Sequence, residues 1–264
     1  MIGRIWTVVV KELADVCRSR LILTTLIVPT ILYVVVSLVA LSAGHLPGVA
    51  GISRVELESL ERSVPRNSGL PTVEAFQLLL VDQILVLYML APLFIPLTIA
   101  SYSIIGEKQL RTLEPLLASP IRTWELLTAK SVAAIVPGIA VGWASYAAFL
   151  ILAAMIASPA VLRHALGPVW LVAFGVLSPL FALLAVAMAV IASSRTNDPR
   201  AAQQLGAVVI LPISALLSAQ VFGFVRLDVS HALMLAVGAA LADVALLWTA
   251  VRLFDRETIL TRWR

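Results

Sequence analysis

The chain has 264 residues, of which 61% are apolar and 13% charged, with a net charge of +4 and a mean hydropathy of +1.01. Soluble domains are about half apolar and about a quarter charged, so the composition excludes a soluble enzyme and a disordered protein. It indicates a chain whose solvent is largely lipid. The single cysteine, Cys17, excludes an intramolecular disulfide and a cysteine-based metal site.

The amino-terminal segment, residues 1–20, has helical periodicity over residues 2–18. The apolar positions that fall on one face are Ile2, Ile5, Trp6, Val9, Leu13 and Val16. The opposite face carries Arg4, Lys11, Asp15 and Arg18. Basic residues on the wet side and tryptophan on the apolar side are typical of a helix that lies in the membrane interface. The alternative is that this segment is the amphipathic start of one long helix.

Six long apolar runs follow, and each is long enough to cross a bilayer. The predicted spans are about 21–43, 83–105, 132–157, 166–193, 205–225 and 232–253. Continuous apolar runs satisfy their backbone hydrogen bonds in lipid as helices, whereas a barrel requires short alternating segments. The first run contains Pro29 and is longer than a signal-peptide core, so we do not expect it to be cleaved. The sequence predicts an all-α polytopic membrane protein, with residues 1–264 in one transmembrane domain.

The basic residues indicate the orientation. Fourteen of the 19 lie in the amino-terminal segment, in the loops 106–130 and 194–204, and around the carboxyl terminus. The positive-inside rule then places both termini in the cytoplasm. We expect the membrane to be a bacterial inner membrane. Since these charges lie beside spans, they predict contact with lipid and not with nucleic acid.

The loop 106–130 has the pattern of a structured element. Leu110, Leu113, Leu116 and Leu117 form one apolar stripe. After Pro120 a short helix can begin, with Ser119 or Thr123 as its N-cap. This helix would present Ile121, Trp124 and Leu127 beside Arg122 and Glu125. Aromatic and arginine anchors suit a partner protein, although the loop could instead fold back on its own spans.

Within the spans, Asp243 is the one ionisable residue deep in a predicted helix. Such a residue is often functional, so it is a candidate for a translocation path, with a hydrogen bond to a neighbouring helix as the alternative. Ser214, Ser218 and Gln220 in the fifth span are further candidates for this path. The alternative is that, together with Ala215 and Ala219, they indicate close helix packing. Gly138 and Gly142 form a small-xxx-small pair that predicts close helix packing.

Prolines are predicted to kink the spans in which they lie. They are Pro29, Pro92, Pro96, Pro137, Pro179 and Pro212.

The sequence shows no catalytic constellation. It lacks the Gly-x-x-x-x-Gly-Lys-(Ser/Thr) phosphate-binding loop and the His-Glu-x-x-His metal motif. We therefore predict no catalytic, cofactor-binding or metal-binding residues in this chain, and it is not expected to be an enzyme.

The run from Glu107 to Lys130 resembles the first cytoplasmic loop of ATP-binding-cassette (ABC) exporter permeases of the type-2 class. The residues that match the loop pattern are Glu107, Thr112, Leu113, Glu114, Leu116, Leu117, Ser119, Pro120, Trp124, Glu125 and Lys130. Two further stretches, Asp198 to Gln204 and Leu253 to Glu257, are also similar.

The resemblance implies that residues 120–127 form a coupling helix, which inserts into a separate cytoplasmic ATPase subunit that binds the ATP. It further implies that 107–117 connect this helix to the second span and that 2–18 form an interfacial helix. The residues implied in ATPase coupling are Glu107, Thr112, Glu114, Pro120, Ile121, Arg122, Trp124 and Glu125.

On this interpretation the chain is the permease subunit of an ATP-driven exporter, working with a second permease subunit that is a copy of itself or a relative. The alternatives are a self-sufficient secondary transporter or channel, and a membrane scaffold. Secondary transporters typically have several intramembrane charges or inverted repeats, and the single Asp243 argues against this class.

Overall fold

The computed structural model describes residues 2–43, 72–110, 123–221, 224–225 and 227–253. These residues form eleven α-helices and two short segments of different pitch, and no strand occurs among them. Six helical stretches are long and apolar enough to cross a membrane. The prediction of an all-α polytopic membrane protein is confirmed.

The helices follow one another along the chain with few residues between most of them. In chain order they are α1 (Ile2–Arg18), α2 (Arg20–Ala43), α3 (Thr72–Tyr88), α4 (Ala91–Gln109), α5 (Thr123–Ile156), α6 (Pro159–Ala165), α7 (Pro168–Val172), α8 (Ser178–Arg195), α9 (Pro199–Gly206), α10 (Ile210–Val221) and α11 (Val229–Leu253). A π-helical segment, Ala173–Leu177, joins α7 to α8, and a 3₁₀ turn, Ala207–Val209, joins α9 to α10.

The amphipathic segment predicted over residues 2–18 is a helix separate from the first span. Ser19 interrupts the two helices, and its hydroxyl accepts a hydrogen bond from the Ile22 N–H at 3.4 Å, which caps α2. One face of α1, which includes Val9 and Val16, is buried against the bundle, while Trp6 is exposed.

Several spans extend beyond the predicted bounds. The second occupies Phe76–Gln109, the third Glu125–Ile156, the fourth Pro159–Arg195 and the fifth Pro199–Gln220. The second span begins before Asp82 because this residue is paired: its carboxylate lies 2.6 Å from His164 Nε2. Gln220 Nε2 also donates to the Asp82 carbonyl oxygen at 2.9 Å.

Three of the six prolines named above lie directly after a break between helices. Proline lacks the N–H that bonds the carbonyl four residues earlier, and its ring clashes with that carbonyl. For Pro92 this carbonyl is at the end of α3, for Pro179 it lies in the π-helical segment, and for Pro212 it lies in the 3₁₀ turn. Pro29, Pro96 and Pro137 lie inside uninterrupted helices.

Helix α4 is the centre of the bundle, and its most extensive contacts are with α8 and α5. A Cβ at Gly138 of α5 would lie 2.5 Å from Pro96 Cγ of α4, so glycine permits this close approach. A Cβ at Gly206 would likewise collide with Leu97. At Gly142 an added Cβ would meet nothing within 4 Å, so the small-xxx-small prediction holds at Gly138 only.

The outward faces of the spans are apolar. Exposed residues include Ile31 in the first span, Ile151 and Met155 in the third, and Leu241 and Val244 in the sixth. In a water-soluble protein such faces would be a liability, whereas in a membrane they contact lipid. Toward the side opposite to α1, the interior contains stacked aromatic rings, including Tyr146 on Phe174 and Phe149 on Trp170.

Candidate functional site

A cluster of buried charges joins three helices on the side of the bundle where α1 lies. Lys130, near the start of α5, is 5% exposed. Its Nζ lies 3.0 Å from Glu12 Oε1 of α1 and 2.9 Å from Glu107 Oε2 near the end of α4. One ammonium therefore holds together the amino-terminal helix, the second span and the third span.

Ser103 and Lys11 complete this group, which we call the ion cluster (Lys11, Glu12, Ser103, Glu107 and Lys130). Lys130 Nζ donates to Ser103 Oγ at 2.7 Å, and Ser103 Oγ donates to Glu12 Oε2 at 2.6 Å. Lys11 Nζ lies 3.2 Å from Glu107 Oε1 and 3.4 Å from Glu12 Oε1. Two carboxylates thus face two ammonium groups, and the cluster has no net charge.

The surroundings favour the ionised form of both groups on α1. Burial by itself raises the pKa of Glu12, but the Lys130 ammonium and the Ser103 hydroxyl outweigh it and hold the pKa below its ordinary value of 4.5. Burial lowers the pKa of Lys11, and the carboxylates of Glu12 and Glu107 more than offset it, so this pKa lies above 10.5. Both α1 groups are therefore ionised near neutral pH.

The two residues after Glu107 attach the same helix end to the connection between the fourth and fifth spans. Lys108 Nζ donates to the Thr196 carbonyl oxygen at 3.3 Å, and Gln109 Nε2 donates to the Asn197 carbonyl oxygen at 2.8 Å. Asp198 follows directly and caps α9, because its carboxylate accepts the Arg200 N–H at 3.0 Å. The end of α4 is thus bound to three other parts of the chain.

The ion cluster lies near the two described helix ends between which residues 111–122 connect the second and third spans. Glu107 is in the last turn of α4, and Lys130 is the eighth residue of α5. A force applied to residues 111–122 would therefore reach α1, α4 and α5 together.

The coupling residues predicted from the sequence fall in different places. Glu107 is in the ion cluster. Trp124 is in the first turn of α5, and its side chain lies outside the described part of the chain. Thr112, Glu114, Pro120, Ile121 and Arg122 lie outside the described residues.

The structure describes the end of the predicted loop helix. Glu125 is 5% exposed, because the first turns of α5 pack against the bundle. The predicted short helix over 120–127 is, from Thr123 onward, continuous with the third span.

The four residues suggested for a translocation path are not brought together. The hydroxyls of Ser214 and Ser218 lie on exposed positions of α10, and each donates to a carbonyl of its own helix. Gln220 is buried and bonds Asp82. Asp243 is 3% exposed in α11, and among the described residues neither of its carboxylate oxygens has a hydrogen-bond partner.

Sequence reasoning missed Glu12 and Ser103 as site residues, and it treated Lys130 only as the end of a loop. The signal was weak but present: Val9, Glu12 and Val16 lie at helical spacing on one face of α1, so an acid interrupts an apolar stripe. An ionised acid is costly to bury unless a base pairs with it, so this pairing could have been suspected. In the described part of the chain no group of three His, Cys, Asp or Glu side chains could hold a metal ion.

Comparison with known proteins gives the family. Residues 50–236 match the model of the ABC-2 family transporter protein, which is more than half of the chain. No curated protein is significantly similar in sequence. The matched region includes the second to fifth spans. Ser103, Glu107 and Lys130 of the ion cluster lie within it, and Lys11 and Glu12 of α1 precede it. The chain therefore belongs to the ABC-2 transporter family and is a multi-pass permease component of an ABC transporter.

Proposed function

We propose that this permease is one subunit of an ATP-driven exporter and that a separate cytoplasmic ABC ATPase subunit supplies the energy. ATP would bind to that ATPase and not to this chain. The working unit would contain two permease subunits, identical or related, and two ATPases. Both termini of the permease would lie in the cytoplasm of a bacterial cell, with lipid around the exposed apolar faces.

The observation that carries this proposal is the ion cluster at the two ends of the 111–122 connection. Glu107 and Lys130 contact each other at 2.9 Å, just before the chain leaves α4 and just after it enters α5. A loop that only connected two spans would not require buried ions at its base, because such ions are costly to desolvate. A connection that receives a mechanical load does require a rigid attachment.

The packing supports transmission of that load to the spans. Glycine at position 138 brings α5 into close contact with Pro96 of α4, and α4 in turn packs along α8. Well-packed helices shift as units because interiors of native density do not deform continuously. Approach of the two ATPases would then move α1, α4, α5 and α8 as one body.

The helix breaks supply positions at which the spans can bend. The break before Pro92 lies at the amino-terminal end of α4, away from the ion cluster. The π-helical segment before Pro179 lies at the amino-terminal end of α8. At both breaks the regular α-helical hydrogen-bond pattern is interrupted, by a turn at the first and by π-helical bonds at the second, so bending there costs less free energy than bending an intact helix. Motion at the ATPase side would thus change access on the opposite side.

For the cargo, we assign the exposed face of α10 to the path between the two permease subunits. Ser214 and Ser218 are the polar residues on that face. Gln220 and Asp243, which the sequence also suggested, point into the interior of the subunit. Asp243 would contribute to the path only if the interior opens during transport.

The proposal is tested by purifying the chain with its ATPase and measuring ATP hydrolysis and export in the same vesicles. Replacement of Trp124 by alanine should leave insertion and basal ATP hydrolysis intact and strongly reduce export. Trp143→Ala is the matched control, because Trp143 is in the same helix and 51% exposed at lipid depth. Normal export by Trp124→Ala would contradict the coupling role, and gradient-driven flux by the chain without any ATPase would favour a secondary transporter.

A further inference from the structure

A cavity of about 470 Å³ lies on the side of the bundle opposite to α1, where α6 and the start of α7 meet α3. Its apolar wall is formed by Leu78, Ala160, Pro168 and Val169. Arg163, His164 and Gly167 complete the lining. A Cβ at Gly167 would lie 2.7 Å from the His164 carbonyl oxygen, so the tight turn that shapes this cavity requires glycine.

Arg163 brings uncompensated hydrogen-bonding capacity to this cavity. A guanidinium has five N–H donors. In the described part of the chain Arg163 uses one of them, since its Nε donates to the Pro159 carbonyl oxygen at 3.2 Å, and it forms no ion pair. The nearby acid is engaged elsewhere: Asp82 Oδ1 lies 2.6 Å from His164 Nε2. Four charged N–H donors of Arg163 therefore have no partner among the described residues and can bind an anionic ligand.

The depth of the cavity indicates what kind of anion reaches it. Helix α5 has 34 residues, which at about 1.5 Å per residue is about 51 Å, longer than the about 40–45 Å of a bilayer with its headgroups. Helix α6 begins at Pro159, three residues after the end of α5. A helix of this length, with its other end on the α1 side, carries α6 and Arg163 to the headgroup region of the opposite leaflet. The exposed Leu166 and Leu171 follow directly along the chain.

We propose that this cavity binds one phospholipid from the leaflet opposite to α1. Arg163 donates to the phosphate, for which the planar fork of guanidinium donors is well matched. The apolar wall contacts the glycerol and the first carbons of the acyl chains. An arginine at this position departs from the bias of basic residues toward the α1 side, and a lipid phosphate gives it a partner. The proposal does not depend on the ATPase or on the direction of transport.

The test measures binding of a short-chain phosphatidylglycerol to the purified full chain by native mass spectrometry. Arg163→Gln should weaken binding about tenfold, as expected for loss of hydrogen bonds to a charged group. Leu78→Trp, which fills the cavity without a change in charge, should weaken it similarly. Arg200→Gln removes the same charge from an exposed position on the α1 side and should leave binding unchanged. Arg163→Lys should give an intermediate loss.

Three results would overturn the proposal. Wild-type binding by Arg163→Gln would show that the guanidinium does not hold the lipid. An equal loss in Arg200→Gln would show that binding reflects total charge only. Displacement of the lipid by millimolar inorganic phosphate would identify a site for the free anion instead of the lipid. Thermal unfolding midpoints of all variants, measured in parallel, confirm that each compared protein is folded.

Discussion

Replacement of Lys130 by methionine is the sharpest perturbation of the ion cluster. The change keeps the approximate length of the side chain but removes the ammonium that contacts Glu12 at 3.0 Å, Glu107 at 2.9 Å and Ser103 at 2.7 Å. It leaves two largely buried carboxylates without their main counter-ion. Breaking a buried pair from one side costs about 3–5 kcal/mol. Since Lys11 still contacts both carboxylates, we expect the lower end, about 3 kcal/mol.

The control is the same substitution at Lys11, whose side chain is 54% exposed. Exposed ion pairs contribute about 0–1 kcal/mol, so Lys11→Met should have a small effect. A loss of about 3 kcal/mol corresponds to about a 100-fold change in the unfolding equilibrium. Both variants should be measured by reversible unfolding in mixed micelles, followed by tryptophan fluorescence.

A second variant keeps this prediction independent of a general folding defect. Lys130→Met combined with Glu12→Gln removes one charge of each sign, and it leaves Glu107 paired with Lys11 at 3.2 Å. The double variant should recover more than half of the stability lost in Lys130→Met. The assigned pairing would be refuted if Lys130→Met were no more destabilising than Lys11→Met, or if the double variant were additive.

Three further predictions concern packing, pH and the intramembrane acid. Gly138→Ala should lower the free energy of unfolding by about 1–3 kcal/mol, because its methyl group would lie 2.5 Å from a ring carbon of Pro96. Gly142→Ala is the control, since its methyl group meets open space. In the same unfolding assay it should be neutral or slightly stabilising. Since the folded-state pKa of Glu12 lies below 4.5, the stability contributed by its ion pair is present above that pH and is lost as the pH falls below it. The thermal unfolding midpoint should therefore drop as the pH is lowered, and less steeply in Glu12→Gln. Identical slopes in the two proteins would contradict the assignment. Asp243→Leu should leave the free energy of unfolding unchanged or raise it, because the buried carboxylate has no partner among the described residues. Export measured in the same variant shows whether Asp243 is also needed for transport.

The six spans could be predicted from the sequence because their signal is local. Each is a long run of apolar residues, and no distant contact is needed to recognise it. Their ends were harder to predict, since a charged residue was taken as the limit of a span. Asp82 and Lys130 lie inside continuous helices because side chains far along the chain, His164 and Glu12, bind them. A single sequence does not show such pairing.

The candidate site was predicted only where it coincides with a recognisable pattern. Glu107 was identified from its place in the loop, but its partners in the ion cluster come from other helices. Lys130 and Glu12 are 118 residues apart, and only the packing of α1 against α5 brings them together. The burial of Glu125 could not be predicted for a related reason, since helical periodicity does not state which side of a helix faces the bundle.

Photocrosslinking from position 121 tests the proposed coupling to an ATPase most directly. A photoreactive amino acid in place of Ile121 would be activated in cells that make ATP, and the adducts would be identified by mass spectrometry. If the 111–122 connection engages a separate ATPase subunit, we expect adducts to that subunit, with a yield that changes when ATP is depleted. Adducts to this chain alone, with or without ATP, would contradict the coupling role.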